Sequence, residues 1–129
     1  MSNLVMVVDD SLTVRKILEI SLKRSGLDVI TFSDGLEAIQ ALNSPNFPRL
    51  PNVVILDVMM PKLNGYEFAR LIRSNPNFRH IPILMLTSRN SMISQLRGRI
   101  AGANIYMTKP FKTQDVVQTV LSYLKMAPS

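Results

Sequence analysis

No cysteine occurs among the 129 residues. Disulfides, thiolate zinc sites and thiol catalysis are therefore excluded, and the composition is compatible with a reducing compartment. Long apolar runs are missing too: none approaches the ~20 residues that a membrane helix needs. Met1-Ser2-Asn3 carries no basic stretch and leads straight into a strand-length apolar run. A signal peptide is therefore not expected, and a cytoplasmic location without membrane insertion is. A G-x-G-x-x-G loop is absent, which leaves Gly35 and Gly65 as turn formers rather than a dinucleotide cradle. His80 has no partner of its kind and reads as a loop residue, neither a ligand nor a phosphoryl donor.

Acidic residues are scarce. Nine Asp and Glu stand against fifteen Lys and Arg, for a net charge of +6 and a pI near 10.1. Three of the nine belong to the candidate site described below. The acids outside it are Glu19, Asp28, Asp34, Glu37, Glu67 and Asp115, so the outer surface is more basic than the total suggests. No four basic residues run together and no aromatics interleave with them. A solvated basic surface accounts for this better than nucleic-acid binding. A chain of this length fits one domain with one core. No linker, repeat or low-complexity segment divides it, so residues 1–129 are expected to form a single domain with no output domain in this chain.

The hydrophobic pattern alternates between short continuous runs and helical spacing. Leu4–Val8, Val29–Phe32, Val53–Asp57, Ile81–Thr87 and Ile105–Thr108 read as five strands. Between and after them, apolar residues recur at helical spacing: Val14, Ile17, Leu18 and Leu22; Leu36, Ile39 and Leu42; Phe68, Leu71 and Ile72; Met92, Ile93, Leu96 and Ile100; Val116, Val117, Val120, Leu121 and Leu124. Ser11 is a suitable N-cap for the first helix and Gly26 a suitable stop. Pro45, Pro48 and Pro51 force a loop. Runs without polar alternation fit strands covered on both faces, hence an α/β fold with a doubly wound, five-stranded parallel sheet and five helices. The eight methionines read as adaptable core packing.

Four of the runs end in polar groups of different kinds: Asp9-Asp10, Asp57, Thr87 and Lys109. In an open parallel sheet the carboxyl ends of the strands share one edge, and ligands bind there. Clustered carboxylates repel or take up protons unless a cation sits among them. Unit charges ~4 Å apart interact by roughly 4 kcal/mol at an effective dielectric near 20. Lys109 offsets part of this, and a hard divalent ion such as Mg²⁺ offsets more. An ionised carboxylate is also a nucleophile able to form an aspartyl phosphate. Positive charge and donors around the moving phosphoryl oxygens would come from Lys109, the Thr87 hydroxyl and backbone N–H groups after Asp57.

These residues resemble a known family. Asp9-Asp10, Asp57 with Met60-Pro61…Asn64-Gly65, Thr87, and Tyr106…Lys109-Pro110-Phe111, in that order and each at a strand end, resemble the response regulator receiver domain, the CheY-like module of bacterial two-component signalling. The resemblance covers essentially the whole chain. It implies a flavodoxin-like fold with strand order 2-1-3-4-5. It implies that Asp57 takes a phosphoryl group from a histidine kinase or histidine phosphotransfer protein. Asp10 and Asp57 would bind Mg²⁺ through carboxylates, Asp9 through water and Met59 through its backbone carbonyl. Thr87 and Lys109 would hold the phosphoryl oxygens. Movement of Thr87 would let Tyr106 rotate inward and change the face formed by the fourth helix, fifth strand and fifth helix, where an unknown downstream protein docks. A cis Lys109–Pro110 bond is expected. A narrower resemblance, through Ser11-Leu12-Thr13-Val14-Arg15-Lys16 and Gly98-Arg99-Ile100-Ala101-Gly102-Ala103, is to single-domain regulators of twitching motility and related chemosensory systems. Ser88 and Asn64 depart mildly from the family pattern, which often has Ala or Gly and Asp there.

Plainer readings stand beside each residue. Asp9-Asp10 can cap the first helix, where acids favour the dipole. Asp57 and Lys109-Pro110 can be turn residues, and Tyr106 a packed strand aromatic. Two rival functions also stand. An aspartate-nucleophile phosphatase would use similar groups, but a second acid two residues after the nucleophile is lacking in Asp57-Val58-Met59. A nucleic-acid module is suggested by charge alone. Arg89, Arg97 and Arg99, with no acid between Thr87 and Asp115, point instead to an acidic protein partner near Tyr106.

Overall fold

The computed structural model describes residues 2–126. Five strands alternate with five helices: β1 (Leu4–Val8), α1 (Leu12–Arg24), β2 (Asp28–Phe32), α2 (Gly35–Leu42), β3 (Val53–Leu56), α3 (Gly65–Ser74), β4 (Ile83–Thr87), α4 (Met92–Ala101), β5 (Ile105–Thr108) and α5 (Thr113–Met126). The strands form one sheet in the order β2-β1-β3-β4-β5, with every neighbouring pair parallel. The α/β class, the five-plus-five count and the 2-1-3-4-5 order expected from the sequence are all observed.

Period-two geometry explains how two helical layers cover one sheet. Met6, Val8, Val54, Leu56, Ile83 and Met85 face one layer, where they meet Ala38 and Leu42 of α2, Phe68 and Ile72 of α3, and Ala101 of α4. Val5, Val7, Val53, Ile55, Leu84 and Leu86 face the other, against Leu18 and Leu22 of α1 and Val116 and Val120 of α5. Both faces are buried, so these strands read as unbroken apolar runs. Local chemistry sets the helix starts. Ser11, Asp34, Asn64 and Ser91 each accept a backbone N–H of the first turn, and Asn64 with Glu67 forms a reciprocal capping box.

Element bounds shift slightly from the sequence reading. β3 stops at Leu56, so Asp57 stands one residue past the strand, although its N–H still donates to the Val8 carbonyl at 3.0 Å. β4 begins at Ile83, after Pro82, which has no N–H to give a ladder. A larger correction concerns α4. Met92, Ile93, Leu96 and Ile100 mark the helix, yet they are 87, 73, 58 and 77% exposed. The buried positions of α4 are Gly98 and Ala101. Met92 therefore lies outside the core that the methionines were expected to pack, whereas Met6, Met60 and Met85 are inside it.

One cation ties three elements without an acidic partner. The Arg73 guanidinium on α3 donates to the carbonyls of Gly102, Arg79 and Ile81 and to Asn104 Oδ1, at 2.7–3.0 Å. It thereby joins the end of α3 to the end of α4 and the entry of β4. Leaving partly buried carbonyls unpaired costs about 1–3 kcal/mol per group. Arg73→Ala should lower the unfolding free energy by roughly 2–4 kcal/mol in urea titrations. Arg73→Lys should recover only part of this, because an ammonium cannot reproduce the planar fork.

Candidate functional site

Two strand ends bring the three acids together. The N–H of Asp9, one residue past β1, donates to the Phe32 carbonyl at 3.1 Å. Its side chain is only 3% exposed, and Oδ1 accepts the Ser11 N–H at 2.8 Å. Asp10 follows in the open. Asp57 is 6% exposed, and its Oδ1 accepts the Met59 N–H at 3.1 Å. One oxygen from each of Asp9, Asp10 and Asp57 lies within 4.8 Å of the others. Gly65 holds α3 hard against this spot: a Cβ there would strike the Asp57 carbonyl oxygen and come to 2.8 Å from Val58 Cα. The Met60-Pro61…Asn64-Gly65 loop is thus folded directly over the acid.

Lys109 closes the group from β5. Its N–H donates to the Thr87 carbonyl at 2.8 Å. Its ammonium donates to Asp9 Oδ2 at 2.8 Å and to Asp57 Oδ2 at 3.0 Å. The Lys109–Pro110 bond is cis, as expected. Thr87 is fully buried at the end of β4, and its hydroxyl oxygen accepts the Arg89 N–H at 3.3 Å. Burial pushes the Asp9 carboxyl above the usual carboxylate range, more than Lys109 and the Ser11 N–H pull it down. Burial acts to lower Lys109, but its bonds to Asp9 and Asp57 outweigh this and hold it above its ordinary value.

A cleft of about 370 Å³ opens beside the acids, lined among others by Asp10, Met59, Asn64, Tyr66, Arg89 and Arg97. The half-exposed Met59 side chain sits at its mouth, with Ser88 Oγ 3.8 Å from its sulfur. Tyr106 on β5 donates its hydroxyl to the Arg89 carbonyl at 2.7 Å. Burial and then the neighbouring Tyr66 phenol push the Tyr106 hydroxyl well above its ordinary pKa. Tyr66 is a residue that the motif reading did not single out. It is buried on α3, donates to the Ser94 carbonyl at 3.1 Å and carries the Arg97 guanidinium 4.6 Å from its ring centroid. Its place directly after Gly65 was the available clue. The expected basic face also divides. Arg89 and Arg97 line the cleft, whereas Arg99 borders Met92, Ile93 and Leu96 on the outer side of α4.

A doubly wound sheet with acids after β1 and β3, a buried Thr at the end of β4 and a Lys reaching back from β5 defines a receiver of the two-component type. The response regulator receiver domain profile matches residues 5–121, and the chain belongs to this family. It is 38% identical over 120 residues to Protein PilG of Pseudomonas aeruginosa, covering 93% of this chain and 86% of that one. It is also 38% identical over 125 residues to the alkaline phosphatase synthesis transcriptional regulatory protein PhoP of Bacillus subtilis. That match covers 97% of this chain but 50% of PhoP, so the chain spans about half the length of such relatives. Among solved structures, the chemotaxis response regulator CheY4 of Vibrio cholerae superposes with a TM-score of 0.84 at 31% identity, covering 95% of this chain and 99% of that one. Neither the phosphatase nor the nucleic-acid alternative is favoured by these likenesses. No helix among the described residues is long and apolar enough to cross a membrane.

Three carboxylates against one ammonium leave excess negative charge at the site. The donors are all oxygen and the carboxylates few, which fits a hard divalent cation completed by water. Millimolar Mg²⁺ should therefore raise the melting temperature relative to chelator. At 100 times the dissociation constant the gain is ~2.7 kcal/mol. Asp10→Ala should abolish the difference, and superimposable wild-type melts would exclude the site.

Proposed function

We propose that the chain works as a phosphorylation-controlled binding switch with Asp57 as the sole phosphoacceptor. The observation that carries this is the double grip of Lys109 on Asp9 and Asp57 at 2.8 and 3.0 Å, beside a cleft lined by Asp10 and Met59. An Asp57 carboxylate oxygen would attack phosphorus in line, forming an acyl phosphate as the bond from phosphorus to the donor nitrogen breaks. The donor, a phosphohistidine of a kinase or phosphotransfer protein, keeps the electron pair of the broken bond on its ring nitrogen and, with one proton taken up from solvent, leaves as neutral imidazole. Lys109 and the Thr87 hydroxyl would then hold the phosphoryl oxygens. When bound, Mg²⁺ would neutralise the cluster and ligate a phosphoryl oxygen, held by Asp10, Asp57 and the Met59 carbonyl, and by Asp9 through water. A cytoplasmic location follows from these partners.

Tyr106 is assigned to the output. Its hydroxyl reaches the Arg89 carbonyl, two residues beyond Thr87, so a shift of Thr87 would be felt by the ring. The downstream partner would dock on the face of α4, β5 and α5, where Arg99 beside exposed apolar residues favours an acidic, partly apolar surface. Such charge steers encounter more than it adds affinity. The likeness to the chemotaxis response regulator CheY4, at 31% identity, supports the narrower chemosensory resemblance.

Acetyl phosphate with Mg²⁺ should add one phosphoryl group by mass spectrometry, and Asp57→Asn should lose it; full labelling of that variant would sink the assignment. Self-dephosphorylation should be slow. Met59 is apolar and cannot orient water, and Arg89 at the same cleft can pair with phosphoryl oxygens. Met59→Asn and Arg89→Ala should each speed decay by roughly 3- to 10-fold, about 1 kcal/mol of barrier. Unchanged or slower decay in both would remove that role. Tyr106→Ala should erase the difference in partner capture between protein treated with a phosphoryl mimic and untreated protein.

A further inference from the structure

Gly98 lies in the middle of α4, where glycine is the poorest helix former after proline. Its position explains the choice. A Cβ at residue 98 would lie 2.7 and 2.8 Å from Cδ2 and Cε2 of the Tyr106 ring and 3.0 Å from Met85 Sδ. The ring therefore rests directly on the Gly98 backbone, and its hydroxyl reaches the Arg89 carbonyl from there.

The helix has no easy way to retreat from an added methyl group. Near its start, the Tyr66 hydroxyl holds the Ser94 carbonyl at 3.1 Å, and Arg97 stacks over the Tyr66 ring. Just past its end, Arg73 Nε and Nη2 grip the Gly102 carbonyl at 3.0 and 2.7 Å. Gly98 sits between these two anchors, both of which run to α3. Met85 is fully buried, so its sulfur has little room to move. The group free to give way is Tyr106, which is half-exposed.

We infer that Gly98 is a positioning residue for the switch: the missing side chain at 98, on a helix pinned at both ends, is the seat that admits the Tyr106 ring. This rests on the reading of Tyr106 as the output group. A methyl group at 98 would hold the ring outward whether or not Asp57 carries a phosphoryl group, and would leave the chemistry at Asp57 alone.

A double-mutant cycle on full-chain protein separates the seat from a plain helix effect. Gly98→Ala in the Tyr106→Ala background removes a poor helix former with nothing to strike, and should raise the melting temperature by roughly 3–5 °C. With Tyr106 present, the same change should give no rise or a fall. In the single Gly98→Ala variant, nuclear Overhauser contacts between the Tyr106 ring and the Met85 methyl should vanish, with and without beryllofluoride and Mg²⁺. Acetyl phosphate should still label it to the wild-type extent. Equal shifts in both backgrounds with the ring contacts intact would overturn the inference. If Gly98→Ala does not fold alone, folding of the double variant supports the seat, and failure of both overturns it. Should wild-type ring contacts be indifferent to beryllofluoride, the switch reading falls, while the cycle still decides whether Gly98 seats the ring.

Discussion

The Lys109 ammonium, shared between Asp9 and Asp57, is the contact on which the site depends. It joins residues 100 and 52 positions apart in the chain and spans β5 to β1 and β3. Two carboxylates this close and this buried would otherwise repel or protonate. Everything around the pair serves to hold it. The Lys109 N–H is anchored on the Thr87 carbonyl, the Asp57 N–H on the Val8 carbonyl and the Asp9 N–H on the Phe32 carbonyl. The acids are thus fixed by the same hydrogen-bond ladder that makes the sheet, and Asp10 beside them lines a cleft open to solvent. A buried ion pair of this kind is a weak source of stability. In the proposed switch, its value would lie in presenting a carboxylate to a cation and a phosphoryl group.

From that centre a second layer of contacts runs to α4. The Thr87 hydroxyl accepts the Arg89 N–H, and the Arg89 carbonyl accepts the Tyr106 hydroxyl. The Tyr106 ring lies on Gly98, while Tyr66 and Arg73 secure α4 to α3 at either side of that point. Packed elements do not deform continuously, so a shift of one of these groups could not leave its neighbours in place. The outer side of α4 carries a stripe of exposed Met92, Ile93, Leu96 and Ile100. The helix that touches the tyrosine therefore also presents an apolar surface to a partner.

Much of this was readable in the chain. Strand runs such as Leu4–Val8 and Val53–Leu56 are apolar throughout because both faces are covered, and that requires a parallel sheet between helices. Once the sheet is parallel, polar residues at successive strand ends share an edge, which is why the sequence alone makes candidates of Asp9, Asp10, Asp57, Thr87 and Lys109. The cap at Ser11 is a local signal of side chain to backbone N–H, legible over three residues. Tyr66 and Gly98 escaped because their importance lies in what they touch from another element. No spacing along the chain announces that a phenol on α3 meets a carbonyl on α4, or that a ring from β5 occupies the place of a missing Cβ.

Helix α4 draws the line most sharply. Its periodic apolar residues correctly announced a helix, because periodicity is a property of the chain and survives any packing. They did not say which side would meet the sheet. Over β5 the space was taken by the Tyr106 ring, so only the small positions, Gly98 and Ala101, fitted inward. The larger residues Met92, Ile93, Leu96 and Ile100 were left outside. Element type, fold class and the chemistry of the strand ends thus follow from local pattern and charge. The direction of α4, the sharing of Lys109 between two acids and the separation of Arg97 from Arg99 arise only when distant segments compete for the same space.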